Sequence, residues 1–191
     1  MEHHYVSGRV FEKEDLRGGV FEKGEYEGCR FINCNFNRVN LTETAFIECE
    51  FIDCDLSLSE LSLSRFNGVS FKKCKLLGLR FDTCNNFGFA VEFSECDLSH
   101  ASFYNLKIKK TSFMECIMHE CDFAGSDLTS ADFSGSDLLR CIFENTILDK
   151  ADLSSAFNFI IDPEKNKIKK AKFSLAGLPG LLAKYDISVK V

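Results

Sequence analysis

Apolar residues recur at every fifth position along most of this chain. Fifteen consecutive units, from Phe11, Leu16, Phe21 and Tyr26 through Leu76 and Phe81, carry an apolar residue at one fixed place, and nine of the fifteen are Phe. The pattern fails at Asn85-Asn86 and resumes two residues out of phase at Phe93. It then continues through Leu98, Phe103 and Ile108 to Leu153, thirteen units more. This central site holds fifteen of the twenty Phe. Two residues before it lies a second site, filled by Cys, Ser, Thr, Ala, Val and Leu. All ten cysteines obey that single register. Cysteines recruited for a disulfide framework or a scattered metal site would not be expected to do so.

Period five excludes the two common elements. Five residues of α-helix turn about 140° past a full circle, so successive Phe would spiral and form no stripe. In a long flat strand an odd period sends successive Phe to opposite faces. The pattern works only if the chain turns a corner every five residues, with the central residue and the one two before it pointing inward. The other three positions are mostly Asn, Asp, Ser, Glu, Lys and Gly. Gly18, Gly28, Gly68, Gly78, Gly125 and Gly135 fall two after the centre, where a tight corner needs backbone freedom.

The units Cys121-Asp122-Phe123-Ala124-Gly125, Ser126-Asp127-Leu128-Thr129-Ser130 and Ala131-Asp132-Phe133-Ser134-Gly135 resemble the pentapeptide-repeat family. That family repeats a small residue, a polar residue, Leu or Phe, and two polar residues. The resemblance covers about residues 9–157. It implies an all-β fold, a right-handed quadrilateral β-helix of about eight coils, with four repeats per coil and coils stacked about 4.8 Å apart. The expected organisation is a β-helix over 1–158, with a short bulge near 85–90, and a C-terminal segment, 159–191, holding a last coil, a capping helix and a dimerisation segment.

Twenty residues per coil assigns columns, if the break is a two-residue bulge in one corner. One face then stacks Phe11, Phe31, Phe51, Phe71, Phe93, Phe113 and Phe133, with Leu153 next. The adjacent face carries Leu16, Phe36, Leu56, Leu76, Leu98, Met118 and Leu138. Its small site reads Cys34, Cys54, Cys74, Cys96 and Cys116, a five-thiol ladder. Cys here is read as a small, readily buried hydrophobe. No His or carboxylate shares the inward register, and parallel Cβ vectors suit a disulfide poorly. Ten reduced cysteines agree with a cytoplasmic address. No metal cage, cofactor motif or catalytic constellation is expected. A pairing such as Cys116 with His119 would set an inward group against an outward one. The chain is therefore read as non-enzymatic.

Net charge is −6. The segment after Asn158 carries seven Lys against Asp162, Glu164 and Asp186, so it is +4 and the body before it −10. An acidic body argues against nucleic acid as a direct ligand, since phosphate contacts need clustered Lys and Arg. It suits a partner protein with a basic surface. The acidic residues recur just before the central site: Asp15, Asp55, Asp97 and Asp137 on one face, and Glu50, Glu92, Asp132 and Asp152 on its neighbour. They are read either as a partner-binding surface or as a solvated coat that blunts a long β-stack. No apolar run is long enough to span a membrane, and the first residues show no basic-then-apolar signal pattern.

Beyond Leu153 the repeats lapse. Leu178, Leu181, Leu182 and Tyr185 fall at i, i+3, i+4 and i+7, one stripe of a short helix, with Pro179 suited to its first turn. Ile187, Val189 and Val191 alternate as a short strand. A β-helix end exposes core and unpaired backbone, so it needs a cap, or it joins two protomers. The run Ile161-Asp162-Pro163 through Lys172-Phe173-Ser174 to Tyr185-Asp186-Ile187 is similar to the terminus of the Qnr-type and McbG-like branch. The resemblance implies a tail-to-tail homodimer in which Leu178, Leu181, Leu182 and Tyr185 dimerise the rod. It also implies a DNA mimic that binds a type II topoisomerase, DNA gyrase or topoisomerase IV, and protects it from quinolones or a peptide toxin. The alternative is a generic interaction scaffold with an unrelated partner. The long projecting loops of many Qnr proteins are absent, the Asn85–Ala90 bulge being the one interruption.

Overall fold

The computed structural model describes residues 4–19 and 21–188. Each five-residue unit forms one side of a square coil, and about eight coils stack into a β-solenoid. The corner follows from one backbone event. Two residues after most centres the chain enters the left-handed region, with Gly or another side chain there: φ is 55° at Lys13, 53° at Asn33, 59° at Leu63 and 66° at Gly68. For a residue other than Gly this costs about 1 kcal/mol or more. In return the corner amide aims along the rod axis. Asn33 N–H donates to the Ile52 carbonyl at 2.9 Å and Lys110 N–H to the Thr129 carbonyl at 3.0 Å, each in the next coil.

The first wall is the most regular. Strands β2 (Val10–Glu12), β4 (Arg30–Ile32), β6 (Glu50–Ile52), β8 (Val69–Lys72), β9 (Val91–Ser94) and β10 (Phe113–Met114) form one parallel sheet. Phe11 pairs with Phe31, Phe31 with Phe51, Phe51 with Phe71, Phe71 with Phe93, and Phe93 with Phe113. Their rings stack face to face with Phe133 completing the pile, at centroid spacings of 4.7, 4.7, 5.0, 5.4, 5.3 and 5.1 Å. The Phe71–Phe93 pairing places the two extra residues inside one coil. Strands β11 (Asp152–Leu153) and β12 (Lys172–Phe173) extend this wall to the end of the rod.

The second wall buries Phe36, Leu56, Leu76, Leu98, Met118 and Leu138 and half-buries Leu16. A third pile, Phe81, Phe103, Phe123 and Phe143, stacks at 4.9, 5.2 and 5.4 Å. The piles meet edge to face: Phe103 contacts Phe113 at 5.6 Å and 85°. Burying whole aromatic side chains supplies most of the drive to coil.

The small sites do more than fill space. At many units a thiol or hydroxyl there donates to the carbonyl of a central residue one coil back. Cys54 Sγ reaches Phe31 O at 3.2 Å, Ser64 Oγ reaches Leu41 O at 2.6 Å, and Ser136 Oγ reaches Phe113 O at 2.7 Å. Near the C-terminus Asn166 Nδ2 serves Phe143 O at 2.9 Å. All ten thiols are buried and unbridged. Burial pushes Cys49 up to about 12 and raises Cys34 and Cys84.

The fourth wall is broken. Strands β1 (Tyr5–Ser7), β3 (Glu25–Glu27), β5 (Ala45–Ile47) and β7 (Arg65–Asn67) form a parallel sheet that ends at β7. Pairing resumes only with Lys107↔Asp127, Asp127↔Ile147 and Ile147↔Lys167. Between them a 3-10 turn, Phe81–Thr83, leads into Asn85–Ala90. Phe89 turns inward against Phe66 and Phe81, at 6.4 and 6.3 Å, while Phe87 stands 86 % exposed.

After Leu153 the register slips. Ala156, Phe159 and Ile161 are buried, while Phe157 and Asn158 face outward. Helix α1 (Leu178–Leu182) lies across this end, and a 3-10 turn, Ala183–Tyr185, follows it. Gly177 and Gly180 allow its backbone to rest on Phe159. A Cβ at Gly180 would stand 2.2 Å from the Phe159 carbonyl oxygen. Ile161 N–H donates to the Gly180 carbonyl at 3.1 Å. Of the alternating residues beyond, Ile187 is exposed and outside any strand, and Val189 and Val191 lie outside the described residues.

Candidate interaction surface

The residue before each centre points outward, so each wall presents one column of side chains. Down the second wall the column reads Asp15, Asn35, Asp55, Lys75, Asp97, Ile117, Asp137, Phe157. Carboxylates therefore recur at every second coil, about 10 Å apart. The first wall reads Arg30, Glu50, Ser70, Glu92, Ser112, Asp132, Asp152, Lys172. The structure thus aligns the two expected acidic sets into columns, in which only Asp132 and Asp152 are direct neighbours and neutral, basic or apolar residues separate the other members.

Most of these carboxylates are already engaged. Asp55 Oδ1 accepts the Ser57 amide at 2.9 Å, and Asp97 and Asp132 accept the amide and hydroxyl of Ser99 and Ser134. Asp137 and Asp152 accept the Leu139 and Ser154 amides in the same way. Each is an Asx turn that bends the chain toward its corner. Ion pairs take others: Asp15 with Arg17 at 2.7 Å, Glu50 with Arg30 at 2.8 Å, and Asp152 with Lys172 at 2.7 Å. Glu92 alone of the eight has no hydrogen bond or ion pair among the described residues. The Arg17 hydrogen bonds hold Asp15 at about 2, and those from Lys172 and Ser154 hold Asp152 at about 2. At Asp137 burial acts to raise the carboxyl, but hydrogen bonds from His119 and Asn158, each at 2.8 Å, lower it on balance. The signal that could have shown this was the Ser or Thr two residues after most of these Asp.

Toward the C-terminus the second wall turns apolar. Ile117, Leu139 and Phe157 lie exposed around the His119–Asp137 pair. At the rod end Leu178 and Tyr185 are exposed and Leu182 is half-buried, while Leu181 packs against the core beneath. Tyr185 Oη donates to Glu164, and Lys184 joins Asp162 at 2.8 Å and Glu164 at 2.6 Å. Three further exposed apolar residues stand at this end, Ile160, Leu175 and Ile187, which the helical stripe did not point to.

Cys116 is buried and donates to the Met114 carbonyl, while His119 faces Asp137. Among the described residues, no three His, Cys, Asp or Glu side chains converge to hold a metal ion. Nor is any helix among them long and apolar enough to cross a membrane.

Residues 27–62 and 116–154 match the family described as Pentapeptide repeats, in eight copies. Comparison with curated protein sequences gives no match. Among solved structures, a trypsin-treated variant of QnrB1, described as a plasmid-mediated fluoroquinolone resistance protein, is similar with a TM-score of 0.64. The two are 19 % identical, over 98 % of this chain and 92 % of that one. A second trypsin-treated QnrB1 variant gives a TM-score of 0.62 at 19 % identity, covering 98 % of both chains. The likeness is one of fold.

Proposed function

We propose that the chain is a non-enzymatic, pentapeptide-repeat binding rod whose partner is a type II topoisomerase; the repeat match at residues 27–62 and 116–154 and the likeness of fold to QnrB1 support this reading. The rod docks on the enzyme's basic, DNA-holding surface, in competition with DNA, and modulates it or shields it from quinolones or toxins. The observation that carries this reading is the pair of carboxylate columns on adjacent walls of a rod with that fold. Apolar residues at the C-terminal end, Leu178 and Tyr185 with Leu175 and Ile160, support joining of two copies tail to tail. The rod works in the cytoplasm, where its buried thiols stay reduced.

The test is capture of purified gyrase and topoisomerase IV by the intact protein at low salt, followed by supercoiling assays across a salt series. Binding that weakens steeply with salt supports the reading, because the contact is between unlike charges. No capture at low salt eliminates it. Sedimentation of the protein with Leu178→Asp and Tyr185→Asp together, against the unaltered chain, tests the dimer.

A second reading, a scaffold for an unrelated protein, is favoured by the charge arrangement. Each strand of DNA carries a phosphate per about 3.4 Å of axis, whereas the second wall offers one carboxylate per two coils. Several of the eight carboxylates are also paired with cations. Under this reading the apolar patch at Ile117, Leu139 and Phe157 is the contact, and charge substitutions at Asp55 and Asp97 leave partner binding unchanged.

A further inference from the structure

The break in the fourth wall leaves one edge of β-structure open in the middle of the rod. In an intact wall every backbone group of the ladder has a mate. Asp127 N–H donates to Leu106 C=O at 2.8 Å, Asp127 C=O accepts from Ile108 N–H at 3.0 Å, and Thr129 C=O accepts from Lys110 N–H at 3.0 Å. Lys107 and Lys109 hold the equivalent places one coil earlier. Among the described residues nothing bonds Lys107 N–H, Lys107 C=O or Lys109 C=O. The bulge does not reach them because it closes on the other side. Ala90 N–H donates to Phe66 C=O at 2.9 Å, and Ala90 C=O accepts from Val69 N–H at 3.1 Å. A cleft of about 340 Å³ results, lined by Gly68, Phe89, Glu92, Lys107, Lys109 and Lys110. Phe87 stands exposed on the same bulge.

We propose that the edge Lys107–Lys109 is a docking slot for an extended, acidic segment of a partner protein. An added strand supplies the missing mates through its own backbone, the mode by which exposed sheet edges capture peptides. Charge selects the occupant. Lys107 and Lys110 are exposed and form no ion pair among the described residues, and Lys109 reaches Asp127 at 3.2 Å. Glu92 is the counter-charge on the facing side, so acidic side chains belong on the lysine edge. The slot is locally basic on an acidic body. It therefore selects a partner segment opposite in sign to the surface that the carboxylate columns would take, and it stands whether or not the topoisomerase reading holds.

The test uses the full chain and two degenerate pools of capped eight-residue peptides. One pool alternates Asp or Glu with Val, Ile, Thr or Phe; the other replaces the acids with Lys or Arg. Hydrogen exchange at the Lys107 amide is the readout. The acidic pool at millimolar concentration should slow it about 10-fold or more, and the basic pool should leave it unchanged. An acidic pool N-methylated at alternate residues should lose the effect, since it cannot pair. Lys107→Glu with Lys110→Glu should weaken the response about 10-fold, a loss of one decade in affinity. Replacing residues 85–90 by the regular rung Asn-Phe-Ser-Gly restores twenty residues to the coil and should abolish binding while the rod stays folded. An unchanged Lys107 amide with the acidic pool, equal protection by the basic pool, or full binding to the rung-restored chain each overturns the proposal.

Discussion

At the scale of the residue, the small inward site decides more than its size suggests. It fills little space, and where it is Cys, Ser or Thr it can also serve a carbonyl one coil back, which the Ala, Val and Leu of other units cannot. This accounts for ten cysteines in one register. Thr44 serves none: its buried hydroxyl has no partner. Thr44→Val keeps the shape and removes an unsatisfied group, so it should leave stability unchanged or raise it by up to about 1 kcal/mol. Ser64→Ala, by contrast, strips the donor from Leu41 O and should cost about 1 kcal/mol. Guanidinium midpoints on both variants check the pair; a loss for Thr44→Val as large as that for Ser64→Ala contradicts the account. The inward register was legible because burial repeats with the period of the chain. What the outward carboxylates do was not. Asp97 and Asp132 read as free surface charge in the sequence, yet their turns use them first.

At the scale of the element, the corner and the bulge show how far a repeat can be read. The two-residue phase shift between Phe81 and Phe93 locates an insertion and even its coil. It does not say that Phe89 turns in, that Phe87 turns out, or that the lower edge stays unpaired, since all three depend on which neighbour captures the Ala90 amide. The C-terminal cap is a similar case. The stripe Leu178, Leu181, Leu182, Tyr185 foretold a helix, but its seat on Phe159 rests on the two glycines. Gly180→Ala should lift the helix from the rod end, because the new Cβ meets backbone and not a flexible side chain tip. The expected result is a stability loss of about 1–3 kcal/mol and faster hydrogen exchange at Ile161, whose amide the Gly180 carbonyl holds. Unaltered exchange at Ile161 would show that the cap does not depend on this contact.

At the scale of the whole molecule, stability should respond to acid in a defined window. Asp15 and Asp152 are held at about 2 in the folded chain, against about 4 for Asp in an unfolded chain. A depressed folded value stabilises fully above the unfolded value and is lost as pH falls toward the folded one. Urea midpoints should therefore stay level from about pH 7 to 5 and decline from about 4 to 2. A midpoint that rises over that lower range contradicts the pairing. Coils in such a rod are coupled only to their neighbours. Bending is thus resisted level by level, by four hydrogen-bonded sides in the upper coils but by three at the height of Phe87. A beam notched on one side concentrates its compliance there. Such a rod should therefore bend most readily at this level, and a strand seated in the notch should stiffen it.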